Sequence, residues 1–146
     1  MDGRDKPGHD GLWAWSKKRM DTKDLAEKGL KLRKELFGEK SVEQRMNAFG
    51  EFGEPLQHII NAYAYGDIWS RPGLSLGVKS LAMIAMMAAA NRPAELRVHL
   101  KGALKNGCTP DEIREVLLLV ALYCGIPAGN EAHRAAMDVL KEEGKA

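Results

Sequence analysis

Cysteine is almost missing from this chain of 146 residues, which holds only Cys108 and Cys124. They lie too far apart for a C-x-x-C redox pair, and two thiols make neither a zinc site nor a disulfide framework. No apolar run approaches about 18 residues, the length a membrane-spanning helix needs. The run from Val116 to Tyr123, for one, covers only eight residues. No stretch alternates apolar and polar residues with a period of two, so strands are not expected. The phosphate-cradling pattern G-x-x-x-x-G-K-S/T, a G-x-G-x-x-G after a strand and the H-E-x-x-H of zinc proteases are all absent. The four histidines are scattered without metal-ligand spacing. Nucleotide, metal and disulfide chemistry are set aside on these grounds.

An excess of one charge sign is missing too. The formal net charge is +2, and residues 1–20 alone account for it, with Arg4, Lys6, Lys17, Lys18 and Arg19 against Asp2, Asp5 and Asp10. The other 126 residues balance 17 basic against 17 acidic side chains. A nucleic-acid protein would carry a basic stripe on its folded part, so no nucleic-acid partner is expected, and no membrane partner either. Residues 1–20 lack the apolar stretch of a secretory signal, and with two unpaired thiols a reducing cytoplasm is the expected compartment. Their mixture of Gly, Pro, Asp and Lys buries too little apolar surface to offset its ordering entropy. They read as a flexible N-terminal extension, with residues 21–146 forming one domain.

What is present is helical periodicity. Asp21 or Thr22 can cap a helix to about Phe37, with Leu25, Leu32 and Leu36 on one stripe and Gly38 as its stop. Ser41 with Gln44 in capping-box position predicts a second start. Leu56 to Tyr65 predicts a helix with Ile59, Ile60 and Tyr63 on its apolar side, followed by a loop over residues 66–73. Ser75 opens a helix to about Asn91 that is apolar nearly all round, which predicts burial on most sides. Pro93 opens another to about Asn106. Thr109-Pro110-Asp111-Glu112 is a cap, a first-turn proline and two acids at a positive helix end. That helix runs to Tyr123, Gly125-Ile126-Pro127 breaks it, and a last helix spans about 128–143. The fold class is all-α, with about six helices. The helices over 75–90 and 112–123 carry more apolar surface than one short chain can cover, so a homo-oligomer is expected.

Candidate chemistry gathers in three places. Glu95 and His99 are four apart on one helix and share a face. A carboxylate there can orient an imidazole for general acid–base work, or the two can form an ordinary ion pair. Arg97 points elsewhere. In the turn Trp69-Ser70-Arg71-Pro72-Gly73, Arg71 beside Trp69 can clamp a carboxylate. Alternatively, Trp69 anchors the core and Arg71 caps a neighbouring helix. Tyr123-Cys124-Gly125 begins a joint of small residues that lets a ligand or helix approach closely, although a buried cysteine is more often an inert hydrophobe. Lys79, among Leu, Met and Ala, needs a partner, a pocket or a route to the surface. His58 and His133 read as packing and surface residues, and His9 belongs to the extension.

Taken together, residues 66–74, Glu95-Leu96-Arg97-Val98-His99, Asn106-Gly107 with residues 111–118, and residues 123–128 resemble the carboxymuconolactone decarboxylase family, over roughly residues 25–142. The wider group is similar to the alkylhydroperoxidase D-like fold, which implies an all-helical domain assembled as a trimer or hexamer. Peroxidase-type relatives use C-x-x-C followed by a histidine. This chain keeps His99 without either thiol, so thiol peroxidase activity is not expected. Where some relatives place a polar His or Gln before the Tyr-x-Gly turn, this chain has Leu119. The resemblance implies a cofactor-free carboxy-lyase acting on a small lactone carboxylate in aromatic catabolism by the β-ketoadipate route. It implies His99 with Glu95 for proton delivery and Lys79 for the oxyanion. Arg71, Trp69, Tyr123 and Cys124 would bind substrate, and no metal is involved.

Overall fold

Helix signals at both ends of most segments fix where the chain turns, and in the computed structural model they are honoured by helices alone. The structure describes residues 22–146, and no strand occurs among them. The expected extension over residues 1–20 and the alternative cap at Asp21 lie outside the described residues. The elements are α1 (Lys23–Phe37), α2 (Glu39–Asn47), a 3-10 turn (Gly50–Gly53), α3 (Glu54–Ile59) running directly into a π-helical segment (Ile60–Ile68), α4 (Leu76–Ala89), α5 (Pro93–Lys105), α6 (Pro110–Cys124) and α7 (Ile126–Glu142). No helix of the described residues is long and apolar enough to cross a membrane.

The chain divides into two compact units. One holds the described residues up to Arg33 with Glu43–Ser70; the other holds Lys34–Val42 with Arg71–Ala146.

In the first unit, α1 begins where Thr22 offers its carbonyl to Ala26 N–H (2.8 Å), while the Thr22 hydroxyl pairs with His58 Nε2 at 2.7 Å. The centre is polar. Arg33 is buried and donates to Gln57 Oε1 (2.8 Å) and Asn61 Oδ1 (3.0 Å). Its guanidinium lies 5.7 Å from the Tyr65 ring centroid. Gln57, Asn61, Tyr65 and Trp69 are all buried. They recur every fourth residue, a spacing that the wider i→i+5 winding keeps on one side. This winding overturns two expectations. Ile59 and Tyr63 face outward, and Gly66 to Ile68 are helical rather than loop, closed by Trp69 N–H on the Ala64 carbonyl (2.7 Å). Gly66 is a crossing residue: a Cβ there would overlap the Leu25 carbonyl, as one at Gly29 would overlap that of Asn61.

In the second unit, Gly38 (φ +91°) is the whole link between α1 and α2. The second helix therefore starts at Glu39, and Ser41 falls inside it rather than capping it. Helices α4 to α7 form the core, with α4 against α5 and α6, and α7 against α5 and α6. Ile84, Leu96, Leu100, Ile113, Leu117, Val120 and Val139 fill it. Ser75 caps α4 through Val78 N–H (3.2 Å). Thr109 and Glu112 form a reciprocal capping box on α6, at 3.1 and 2.9 Å. The break after α6 is narrower than the Gly-Ile-Pro run suggests, because Gly125 alone links α6 to α7. Burial of α4 is also one-sided: Ser80, Ile84 and Ala88 face the core, while Val78 and Met86 stay exposed.

Gly125 sits at φ +102°, ψ 154°, a region that side-chain-bearing residues avoid. Gly125→Ala should lower the unfolding free energy by about 1–3 kcal/mol, read as a lower urea midpoint at unchanged m-value.

Candidate active site

The turn after the π-helical segment is shaped by short side chains. Ser70 Oγ donates to the Gly66 and Asp67 carbonyls (2.5 and 3.1 Å). Trp69, expected either to bind substrate or to anchor the core, is buried and stacked on Tyr65 with centroids 5.7 Å apart. Arg71 is exposed. Lys79, one turn into α4, reaches back so that its Nζ donates to the Arg71 carbonyl at 2.6 Å. The structure thus brings Arg71 and Lys79 together at the start of α4.

His99 lies elsewhere. It is 4% exposed and sits edge-on to Phe37, with centroids 5.5 Å apart at 82°. The expected Glu95–His99 pair is not formed: Glu95 is exposed in the first turn of α5, and no hydrogen bond or ion pair joins the two. An acid in that turn already interacts favourably with the positive helix end, whereas the imidazole four residues on has entered the bundle. Arg97 faces away, as its spacing implied, and pairs with Asp138 of α7.

Two bonds set the level of His99 against α4. Asn106 Nδ2 donates to Ser80 Oγ (3.3 Å), and Cys108 Sγ to the Gly77 carbonyl (3.4 Å). A short turn joins the two helices, so they run antiparallel, and that register carries His99 to the level of Met87. Lys79 is eight residues away on α4, about 12 Å along the axis. His99 and the Arg71–Lys79 pair are therefore not neighbours within one chain.

At the Met87 end lies a cavity of about 330 Å³. Its wall includes Met87, Ala88, Leu96, Pro127 and Ala128, with Asn91, Arg92, Cys124 and Glu131 as its polar members. Cys124 was expected near substrate and is exposed here. Tyr123 beside it is 81% exposed. Arg92 is not among the residues that the sequence singles out, because helix periodicity stops before it and resumes at Pro93. The available signal was the proline, which holds the preceding residue off the helical conformation: Arg92 has φ −115°, ψ 77°, and Asn91 is left-handed at φ +54°. Cys108 is a poor nucleophile. Burial first, and then the Glu112 charge, push its thiol above the ordinary range, so the protonated form is favoured at neutral pH. Among the described residues no three His, Cys, Asp or Glu side chains are grouped to hold a metal.

The pattern of the carboxymuconolactone decarboxylase family matches residues 54–138. The chain is 39% identical over 125 residues to 4-carboxymuconolactone decarboxylase of Acinetobacter baylyi, covering 86% of this chain and 93% of that protein. It is 38% identical over 108 residues to nitrosuccinic acid decarboxylase of Metarhizium robertsii, covering 74% of this chain and 76% of that one. The chain belongs to the carboxymuconolactone decarboxylase family, and with both of these relatives named decarboxylases it is a carboxy-lyase.

Proposed function

We propose that this enzyme removes carbon dioxide from 4-carboxymuconolactone without a cofactor, giving the β-ketoadipate enol-lactone in protocatechuate breakdown in the cytoplasm. The support is a likeness spanning 93% of a 4-carboxymuconolactone decarboxylase, together with what the two relatives' named substrates share. The lactone has a carboxylate on the ring carbon beside its oxygen, conjugated through the ring to the lactone carbonyl. Nitrosuccinic acid has a carboxyl group on the carbon bearing its nitro group. In both, the electron pair of the breaking C–C bond passes into a sink within the molecule, and a second carboxylate remains one methylene away.

The protein's task is then to hold the acid, stabilise the dienolate oxygen and return one proton to ring carbon. One substrate and one proton give one product and one carbon dioxide. In this reading His99 delivers the proton. Glu95 is too exposed to orient it, and Phe37 fixes the ring instead. Trp69 serves as packing. Arg71 and Lys79 supply positive charge, and because Lys79 sits about 12 Å along α4 from the level of His99 within one chain, they do so through a neighbouring copy.

A homo-oligomer is part of the proposal. Leu118, Leu119, Leu122, Tyr123 and Ile126 are all at least half exposed along α6 and its joint. Together they offer on the order of 600 Å² of largely apolar surface, the upper end of what a monomer leaves open. A second copy covering them would also enclose Tyr123.

Purified protein given 4-carboxymuconolactone should release carbon dioxide as lactone absorbance falls; a rate no faster than in buffer removes the proposal. His99→Gln should lower kcat by roughly 10²–10⁴, with the helical circular-dichroism spectrum retained. Light scattering on the eluting protein should give three or six times the 16.1 kDa chain mass. A monomer would leave Arg71 and Lys79 without access to His99.

A further inference from the structure

We infer that Arg92 anchors the carboxylate that the substrate keeps, with the cavity at the α4–α5 turn as its binding site; this rests on the decarboxylase reading above. The cavity of about 330 Å³ suits a small acid. Its walls are mainly Met87, Ala88, Leu96 and Ala128, and such lining orients a ligand through its few polar groups. Those groups are unequal. Glu131 repels an anion, but it is already engaged by Arg134. Arg92 has no carboxylate or hydrogen-bond partner for its guanidinium among the described residues; its backbone alone is engaged, the N–H on the Met87 carbonyl (2.9 Å) and the carbonyl accepting from Leu96 N–H (2.8 Å). A guanidinium with its fork open matches a carboxylate with two parallel hydrogen bonds.

The position also suits the chemistry. Leu96, in the cavity wall, and His99 are three residues apart on α5 and lie on the same side of it. Arg92 precedes that stripe at the helix start. An acid held by its methylene carboxylate at Arg92 extends its reactive carbon along α5 toward His99. The carboxylate that leaves then meets apolar wall rather than a cation, and its departure disperses charge, which such a wall favours.

The test crosses enzyme with substrate. Wild type, Arg92→Gln and Arg71→Gln are each given the lactone and its monoester, in which only the methylene carboxylate is masked. Wild type should prefer the acid by roughly 10- to 100-fold in kcat/KM, the range of a charge-assisted contact. Arg92→Gln should abolish that preference, Arg92→Lys should restore part of it, and Arg71→Gln should leave it intact. Preference persisting in Arg92→Gln, or vanishing instead in Arg71→Gln, overturns the inference while leaving the decarboxylase reading in place. Should wild type release no carbon dioxide, that reading fails separately, and succinate then serves as probe. Titrated into wild type, it should shift the amide resonances of Arg92, Leu96 and Ala128, with no shift in Arg92→Gln. No shift in wild type, or an equal shift in the variant, rejects the site.

Discussion

The register between α4 and α5 governs what this chain can do. It rests on two contacts at one end of the helix pair, Asn106 to Ser80 and the Cys108 thiol to the Gly77 carbonyl. Antiparallel helices pinned at one end have the rest of their levels fixed by the rise per residue. His99 therefore comes level with Met87 and the cavity, and Lys79 is left with Arg71 at the opposite end. The same burial that raises the Cys108 thiol keeps it a donor to Gly77 rather than a reactive thiolate. Cys108 thus works as a structural donor.

Legibility in the sequence followed the range of the interaction involved. Helix starts set by neighbours within four residues could be read: Ser75 does cap α4, and Thr109 with Glu112 does close a capping box. Stops set by a left-handed glycine were legible as well, although Gly38 and Gly125 each make the entire link, which shifts the following helix start toward them. The π-helical segment was not legible. Ile59, Ile60 and Tyr63 have α-helical spacing, and it is tertiary contact, with α1 and with Met46 of α2, that selects Asn61, Tyr65 and Gly66 for the inside. At the site, helix arithmetic correctly set Arg97 apart from Glu95. It also put Glu95 and His99 on one face without registering that one turn of α5 is outside the bundle and the next is inside it.

The first unit shows a different use of charge. Arg33 is buried beside the neutral oxygens of Gln57 and Asn61 and over the face of Tyr65. Such a group is expensive to desolvate, and removing either amide would leave part of it uncompensated. The geometry it demands is correspondingly narrow, since Gln57, Asn61 and Tyr65 must all present from one side. The wider winding of the π-helical segment meets that demand, and Gly29 with Gly66 lets the two backbones come close enough for the bonds to form.

Placing a cation at the retained carboxylate rather than at the departing one has a physical basis. A carboxylate about to lose carbon dioxide carries full charge in the ground state and less in the transition state. A guanidinium bound to it would stabilise the ground state more and slow the reaction. A carboxylate that does not react keeps its charge throughout, so anchoring it costs nothing in the barrier while it fixes the ring against the proton donor. An apolar cavity with one open guanidinium near its edge and a buried imidazole further along the same helix satisfies both conditions. No electron-accepting group need come from the protein, because the substrate carries its own.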